Sequence, residues 1–103
     1  MDKKVVPFPK GLSRATAQKL IRRLMADSQF AWDGHFAESM LERQIVMRQV
    51  ITTLLEGKVV LGPDIDEYGD WRCKVEKWSA GQRLTVVVAI AKSRDLLKGV
   101  TTY

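Results

Sequence analysis

The stretch that decides the fold is Gly57 to Tyr103. It runs Gly57-Lys58-Val59-Val60-Leu61-Gly62-Pro63, then Asp66-Glu67-Tyr68-Gly69-Asp70-Trp71-Arg72-Cys73. Leu84-Thr85-Val86-Val87-Val88-Ala89-Ile90 follows, and the stretch closes on Val100-Thr101-Thr102-Tyr103. β-Branched and aromatic clusters broken by Gly, Pro and Asp read as four short strands joined by tight turns. The first strand is Lys58 to Leu61, ended by Gly62-Pro63, and Asp64 to Gly69 is a polar, acidic turn region. Trp71 to Trp78 alternates, with Trp71, Cys73 and Val75 on one face and Arg72, Lys74, Glu76 and Trp78 on the other. Ser79-Ala80-Gly81-Gln82 reads as a hairpin turn. Leu84 to Ala91 is apolar on both faces, which marks a central strand. Ala91 to Asp95 holds the last turn, and Leu96 to Tyr103 the last strand.

Working outward toward the N-terminus, the chain turns helical. Met47, Val50, Ile51, Leu54 and Leu55 recur at helical spacing, and Gly57 is the C-terminal stop. Asp33 caps a short helix reaching about Arg43, with Phe36, Ala37, Met40 and Leu41 on one arc. His35, Ser39, Glu42 and Arg43 share the opposite arc. Gln29 to Trp32 is a short strand or extended link. A first helix spans Leu12 to Asp27 with Ser13 as N-cap, its apolar face Ala17, Leu20, Ile21, Leu24 and Met25. Residues 1–11, with Pro7, Pro9 and Gly11, read as an extended arm. The expectation is one α+β domain over 1–103: an arm (1–11), a helical part (12–57) and a strand meander (58–103).

Composition narrows the function classes. Of the residues, 46% are hydrophobic and 28% charged, which argues against disorder. The longest apolar run, Val86 to Ala91, is far too short to span a bilayer. No long apolar stretch follows the basic N-terminus, so the expectation is a cytoplasmic protein without membrane contact. Cys73 is the single cysteine, which leaves no intrachain disulfide partner and no Cys-rich zinc site. One His, one Cys and no ligand spacing speak against a metal enzyme, and glycine-rich nucleotide motifs are absent. No cofactor is expected.

The net charge of +5 is unevenly placed. Residues 1–25 hold seven Lys/Arg against Asp2 alone, whereas residues 26–103 sum to −1. The basic arm and first helix, with Arg22 and Arg23, suit a polyanion or an acidic partner, or a solvated helix face.

Several residues form a family pattern. They are His35, Met40, Glu42, Arg43 and Ile45, then Gly57, Gly62-Pro63, Tyr68-Gly69-Asp70-Trp71-Arg72, Val86-Val87-Val88 and Val100-Thr101-Thr102-Tyr103. From Trp32 to Tyr103 the chain resembles a bacterial domain family of unknown function, allied to RelE/ParE-like, BrnT-like and MqsR-like toxins. The resemblance implies a RelE-like toxin fold, with N-terminal helices on a four-stranded, mainly antiparallel sheet. It also implies a small basic ribonuclease neutralised by a cognate antitoxin, acting on mRNA, free or ribosome-bound. Three positions depart from the pattern: Ser39 replaces a usual Arg, Gln44 a usual Gly, and Val46 a usual helix-capping Ser or Thr. The serine removes a candidate phosphate contact beside His35.

Metal-free RNA cleavage needs a base for the 2′-hydroxyl, a cation for the phosphorane-like state and an acid for the leaving oxygen. The expected catalytic residues are Arg72, Lys74, His35 and Arg43, and the expected RNA-binding residues are Arg83, Trp78, Arg22 and Arg23. Each has a plain structural alternative. His35 can serve as a local helix-start group. Arg43 can cap carbonyls or pair with Glu42 or Asp33. Arg72 and Lys74 can be a solvated face with Glu76 balancing Lys74. Tyr103 is a proton-transfer candidate or a terminal residue, and Cys73 reads as a buried, inert thiol. Asp64, Asp66, Glu67 and Asp70 form a solvated acidic loop, one that meets the first helix, or a cation site without EF-hand spacing. The second functional class is a non-catalytic interaction module of the same fold.

Overall fold

The computed structural model describes residues 12–103, so the expected arm at 1–11, with Lys3, Lys4 and Lys10, lies outside the described residues. The chain orders as α1 (Arg14–Ala26), β1 (Phe30–Trp32), α2 (Gly34–Glu42), α3 (Met47–Glu56), β2 (Lys58–Ile65), β3 (Trp71–Ser79), β4 (Gln82–Ile90) and β5 (Leu97–Thr102).

Capping chemistry sets the helix starts. The Ser13 hydroxyl accepts the Thr16 amide at 3.1 Å and opens α1. Asp33 does the same for α2, accepting from Phe36 N–H at 3.0 Å. At α3 the N-cap is Val46, which has no side-chain acceptor. There Gln49 Oε1 reaches back to the Val46 N–H at 2.9 Å.

The sheet has five strands, in the order β1-β5-β4-β3-β2. The expected four-strand meander forms its β2-β3-β4-β5 part, antiparallel throughout. The fifth strand is the correction: Phe30–Trp32 pairs parallel with β5, Phe30 opposite Leu97 and Trp32 opposite Gly99. Three residues are too few to show a period-2 pattern, so only the pairing identifies this strand. A second correction concerns β2, which runs on to Ile65 instead of stopping at Leu61. Register shifts between Val59 and Leu61 and between Leu61 and Asp64 absorb the cis Gly62–Pro63 pair. An edge strand tolerates both a bulge and a proline.

All three helices pack on one face of the sheet. Leu20, Ile21 and Leu24 of α1, Phe36 of α2, and Val50 and Leu54 of α3 meet Val59, Cys73, Val75, Val86, Val88, Ile90 and Leu97. The Phe36 ring fills the space over Gly99, where an added Cβ would lie 2.9 Å from it.

Two helix faces differ from the wheel reading. In α2, Ser39 is buried and Leu41 is 79% exposed. Ser39 faces β5: its hydroxyl donates to Phe36 O at 2.7 Å, accepts Thr102 N–H at 3.1 Å and meets Thr102 Oγ1 at 3.0 Å. Its burial is thus compensated by hydrogen bonds. In α3, the buried residues are Val50, Thr53 and Leu54, and Ile51 and Leu55 each remain 38% exposed.

The basic and polar side of α1 has a structural use. Arg14 Nε donates to Gly62 O, Gln18 Oε1 accepts Val59 N–H, and Arg22 Nη2 donates to Gly57 O, each at 3.0 Å. Residues 14, 18 and 22 are one turn apart and bond outward-facing backbone groups of β2 and of the residue before it. The edge strand is thereby covered. None of the described helices is long and apolar enough to cross a membrane.

Candidate functional site

Period-2 alternation carries every second residue of β3, β4 and β5 to the face that no described helix covers. The register sets Arg72 beside Ala89 and Ala89 beside Lys98, and sets Lys74 beside Val87 and Val87 beside Thr101. Small residues thus form the floor, flanked by long cationic ones. Lys74 Nζ lies 5.0 Å from the centroid of the Tyr103 ring, a cation–π distance.

A groove of about 570 Å³ crosses this face. Arg72, Ala89 and Lys98 form its floor, Asp66, Tyr68 and Asp70 one end, and Trp32, Asp33 and His35 the other. His35 and Arg72, 37 positions apart in the chain, therefore line one cavity. Asp70 is buried, accepts Lys98 Nζ at 2.8 Å and accepts the Lys92 N–H at 3.1 Å. The Lys98 ammonium holds the Asp70 carboxyl below the usual carboxylate range, and the same bond holds Lys98 above the usual lysine range. Asp66 accepts the amides of Tyr68 and Asp70 and lies 4.0 Å from Arg72. The acidic loop thus uses its carboxylates to build the groove end, and no cluster of three potential metal ligands occurs among the described residues.

A second groove, about 740 Å³, lies at the other end of β4. It is bounded by the α2–α3 turn, the exposed side of α3 and the β3–β4 hairpin. Arg43, Arg48, Lys77, Arg83 and Tyr103 line it. Beyond their direct pairing with Tyr103 at Thr85, the positions of β4 nearer the hairpin have no β5 partner.

The structure sorts the expected site residues into groups. His35 and Arg72 share the first groove, Arg43 and Arg83 the second. Lys74 stands between them at Tyr103. Trp78 is 66% exposed and pairs in register with Arg83. Arg83 itself lies 3.9 Å from Glu76, so that carboxylate pairs with Arg83 and not with Lys74. Arg43 makes no ion pair to Glu42 or Asp33 among the described residues. Arg22 and Arg23 join neither groove. Arg22 is bound to Gly57 and half-buried, whereas Arg23 is exposed in the last turn of α1.

Cys73 faces the core, and burial, with Asp64 adding, pushes its thiol up to about 12. It is protonated at neutral pH and inert. Ser39 points at Thr102 on the helix-covered side, so the serine at this position leaves the floor of the open face unchanged. Sequence reading missed Lys98, Arg48 and Lys77. Alternation along Leu97–Thr102 was the available signal for Lys98. For Arg48 and Lys77 there was none, because their convergence needs the packing of α3 against the hairpin.

Residues 32–103 match the model of a family described as domain of unknown function DUF4258, and the chain belongs to that family. No curated protein and no solved structure matches it.

Proposed function

We propose that this protein is a toxin-like RNA-binding protein on a RelE-like scaffold and that it cleaves RNA without a metal ion. One observation carries the reading: His35 and Arg72 line the same groove on a sheet face that no described helix covers. His35 moves the proton, a role that an imidazole suits because one ring nitrogen donates and the other accepts. Arg72 and Lys74 are two residues apart on one strand face, about 7 Å along the strand. Their cations offset the charge that gathers on the phosphorane-like phosphate. Trp78 stacks a base, a contact worth about 1–3 kcal/mol. Tyr103, beneath Lys74, borders the second groove and not the one that holds His35 and Arg72. The partner that restrains such an activity is a small antitoxin, and the compartment is the cytoplasm.

A second reading has its own observation. Three of the cations on this face have carboxylates nearby: Arg72 with Asp66, Lys98 with Asp70 and Arg83 with Glu76. Such balance suits a non-catalytic interaction module that recognises a protein.

Inducible expression in a bacterial host separates them. Wild type and Arg72→Ala/Lys74→Ala are compared by growth and by transcript 5′ ends. Growth arrest with new 5′ ends, lost in a variant that melts like wild type, supports the ribonuclease. Intact transcripts with soluble wild-type protein, in a host lacking an antitoxin for it, leave the interaction module as the function. Undiminished cleavage by the variant would remove Arg72 and Lys74 from the site.

A further inference from the structure

The two grooves differ in sign. The first holds Asp33, Asp66 and Asp70 beside Arg72 and Lys98, so its charges nearly cancel. The second is lined by Arg43, Arg48, Lys77 and Arg83, and no acidic side chain lines it. Lys77 and Arg83 have carboxylates at 3.8 and 3.9 Å, Glu56 and Glu76, but both lie outside the lining. Arg43 and Arg48 have no carboxylate within ion-pair distance among the described residues. Arg43 and Arg48, without a carboxylate beside them, and the two paired cations leave the concavity net positive, and the low-dielectric walls of a groove focus that field.

We infer that this second groove is the main binding site for the RNA phosphate backbone, with Arg48 and Lys77 as phosphate contacts outside the cleavage site. The inference rests on the RNA-binding reading above and divides its labour. The mixed-sign groove holds the reacting phosphate, and the single-sign groove supplies the affinity. Tyr103 lines the second groove and its ring lies under Lys74, which follows Arg72 on the same strand face. Lys77 and Leu84 continue the alternation of Val75 and Val86 on the helix-covered side, so a strand passes from one groove to the other around the free edge of β4 at Tyr103. Phosphate is the ligand class that fits. Arginine forks bind its oxygens in pairs, and the Gln49 and Thr52 side chains that line the same groove are further donors.

The test uses a fluorescent, 2′-O-methylated single-stranded RNA of about 12 nucleotides, a length within the site sizes of single-strand binders. It binds but lacks the hydroxyl needed for cleavage. Anisotropy is followed between about 50 and 200 mM salt, where phosphate contacts dominate the salt dependence. For Arg48→Ala/Lys77→Ala, two lost contacts flatten the log–log salt slope by about 1.4 and weaken binding roughly 20-fold near 0.1 M salt. Arg48→Lys/Lys77→Arg conserves both charges and keeps the wild-type salt slope, which distinguishes charge from fold. With unmodified RNA the alanine variant raises KM and leaves kcat unchanged. If wild type binds and the alanine variant keeps the wild-type slope, the groove assignment is overturned and the RNA reading stands. If wild type binds no RNA, the RNA reading falls and the groove assignment with it. If oligoglutamate of equal charge displaces the RNA as well as excess RNA does, the groove is a site for an acidic protein and the assignment is overturned.

Discussion

Successive residues of β4 face two different environments. Val86, Val88 and Ile90 point into the layer filled by Phe36, Ile21 and Leu54. Thr85, Val87 and Ala89 point the other way, between Glu76, Lys74 or Arg72 on β3 and Tyr103, Thr101 or Lys98 beyond. All six are buried, yet for different reasons. The first three are covered by other elements. The second three are small residues flanked by longer side chains, whose stems pack against the floor while their charged ends stay in water. An apolar strand is therefore compatible with a working surface: its small side chains make the depth, and its neighbours make the charge.

The difference can be broken from the covered side first. Phe36→Ala removes the ring that fills the space over Gly99 and is expected to cost about 3–5 kcal/mol in urea unfolding. A loss under about 1 kcal/mol would mean that α2 does not hold the sheet as described.

Next comes the Asp70–Lys98 pair on the open side. Asp70→Ala leaves the Lys92 N–H without its acceptor and is expected to cost about 1–3 kcal/mol at neutral pH. Because the native Asp70 carboxyl is held low, its stabilising effect is complete above about pH 4 and is lost as pH falls through the native value. Lys98 has the opposite sign: its effect is complete below about pH 10.4 and is lost as pH rises through the raised native value. The variant's thermal stability should therefore fall less than that of wild type below about pH 4. Parallel acid limbs would contradict the pairing.

A sharper contrast uses adjacent residues. Val88→Thr puts a hydroxyl into the apolar layer and is expected to cost about 1–3 kcal/mol, whereas Val87→Thr should stay within about 0.5 kcal/mol. Equal losses would erase the distinction between the faces. The smallest effect expected is a gain. Gln44 adopts φ +55°, a left-handed conformation that costs non-glycine residues about 1 kcal/mol. Gln44→Gly touches neither face and should raise stability by up to about 1 kcal/mol, read as a higher melting temperature.

That last residue shows what was legible. The resemblance implies a glycine where this chain has Gln44, and the backbone there has the geometry that glycine favours. The helices at 14–26, 34–42 and 47–56 and the order of the last four strands were readable, because caps, turn residues and periodicity agreed. At Gln29 to Trp32 the sequence leaves a short strand or an extended link open, and the parallel place of Phe30–Trp32 in the sheet is not legible, since the partner lies about 67 residues away. The wheel groups Ser39 with His35, Glu42 and Arg43, yet its hydroxyl is satisfied by Phe36 and Thr102 inside the layer. Arg72, Lys74 and Trp78 were found by alternation along one strand. The grouping of His35 with Arg72, and of Arg48 and Lys77 with Arg43, arises from packing between elements and leaves no local trace. Arg22 counted toward a basic surface in the sequence, and in the structure it is occupied by the Gly57 carbonyl.

The contacts of Arg14, Gln18 and Arg22 have a consequence for how the domain is divided. The family match begins at Trp32, after α1. A chain cut at that boundary would lose Phe30 and Ala31 of β1 and the Leu20, Ile21 and Leu24 side of the core, and would expose the outer rim of β2, with its unpaired amides and carbonyls open to any extended segment nearby. It would be prone to stick to itself, edge to edge. The helix ahead of the matched segment is thus a built-in guard against self-assembly, and a minimal unit for expression begins no later than Leu12, itself part of the core.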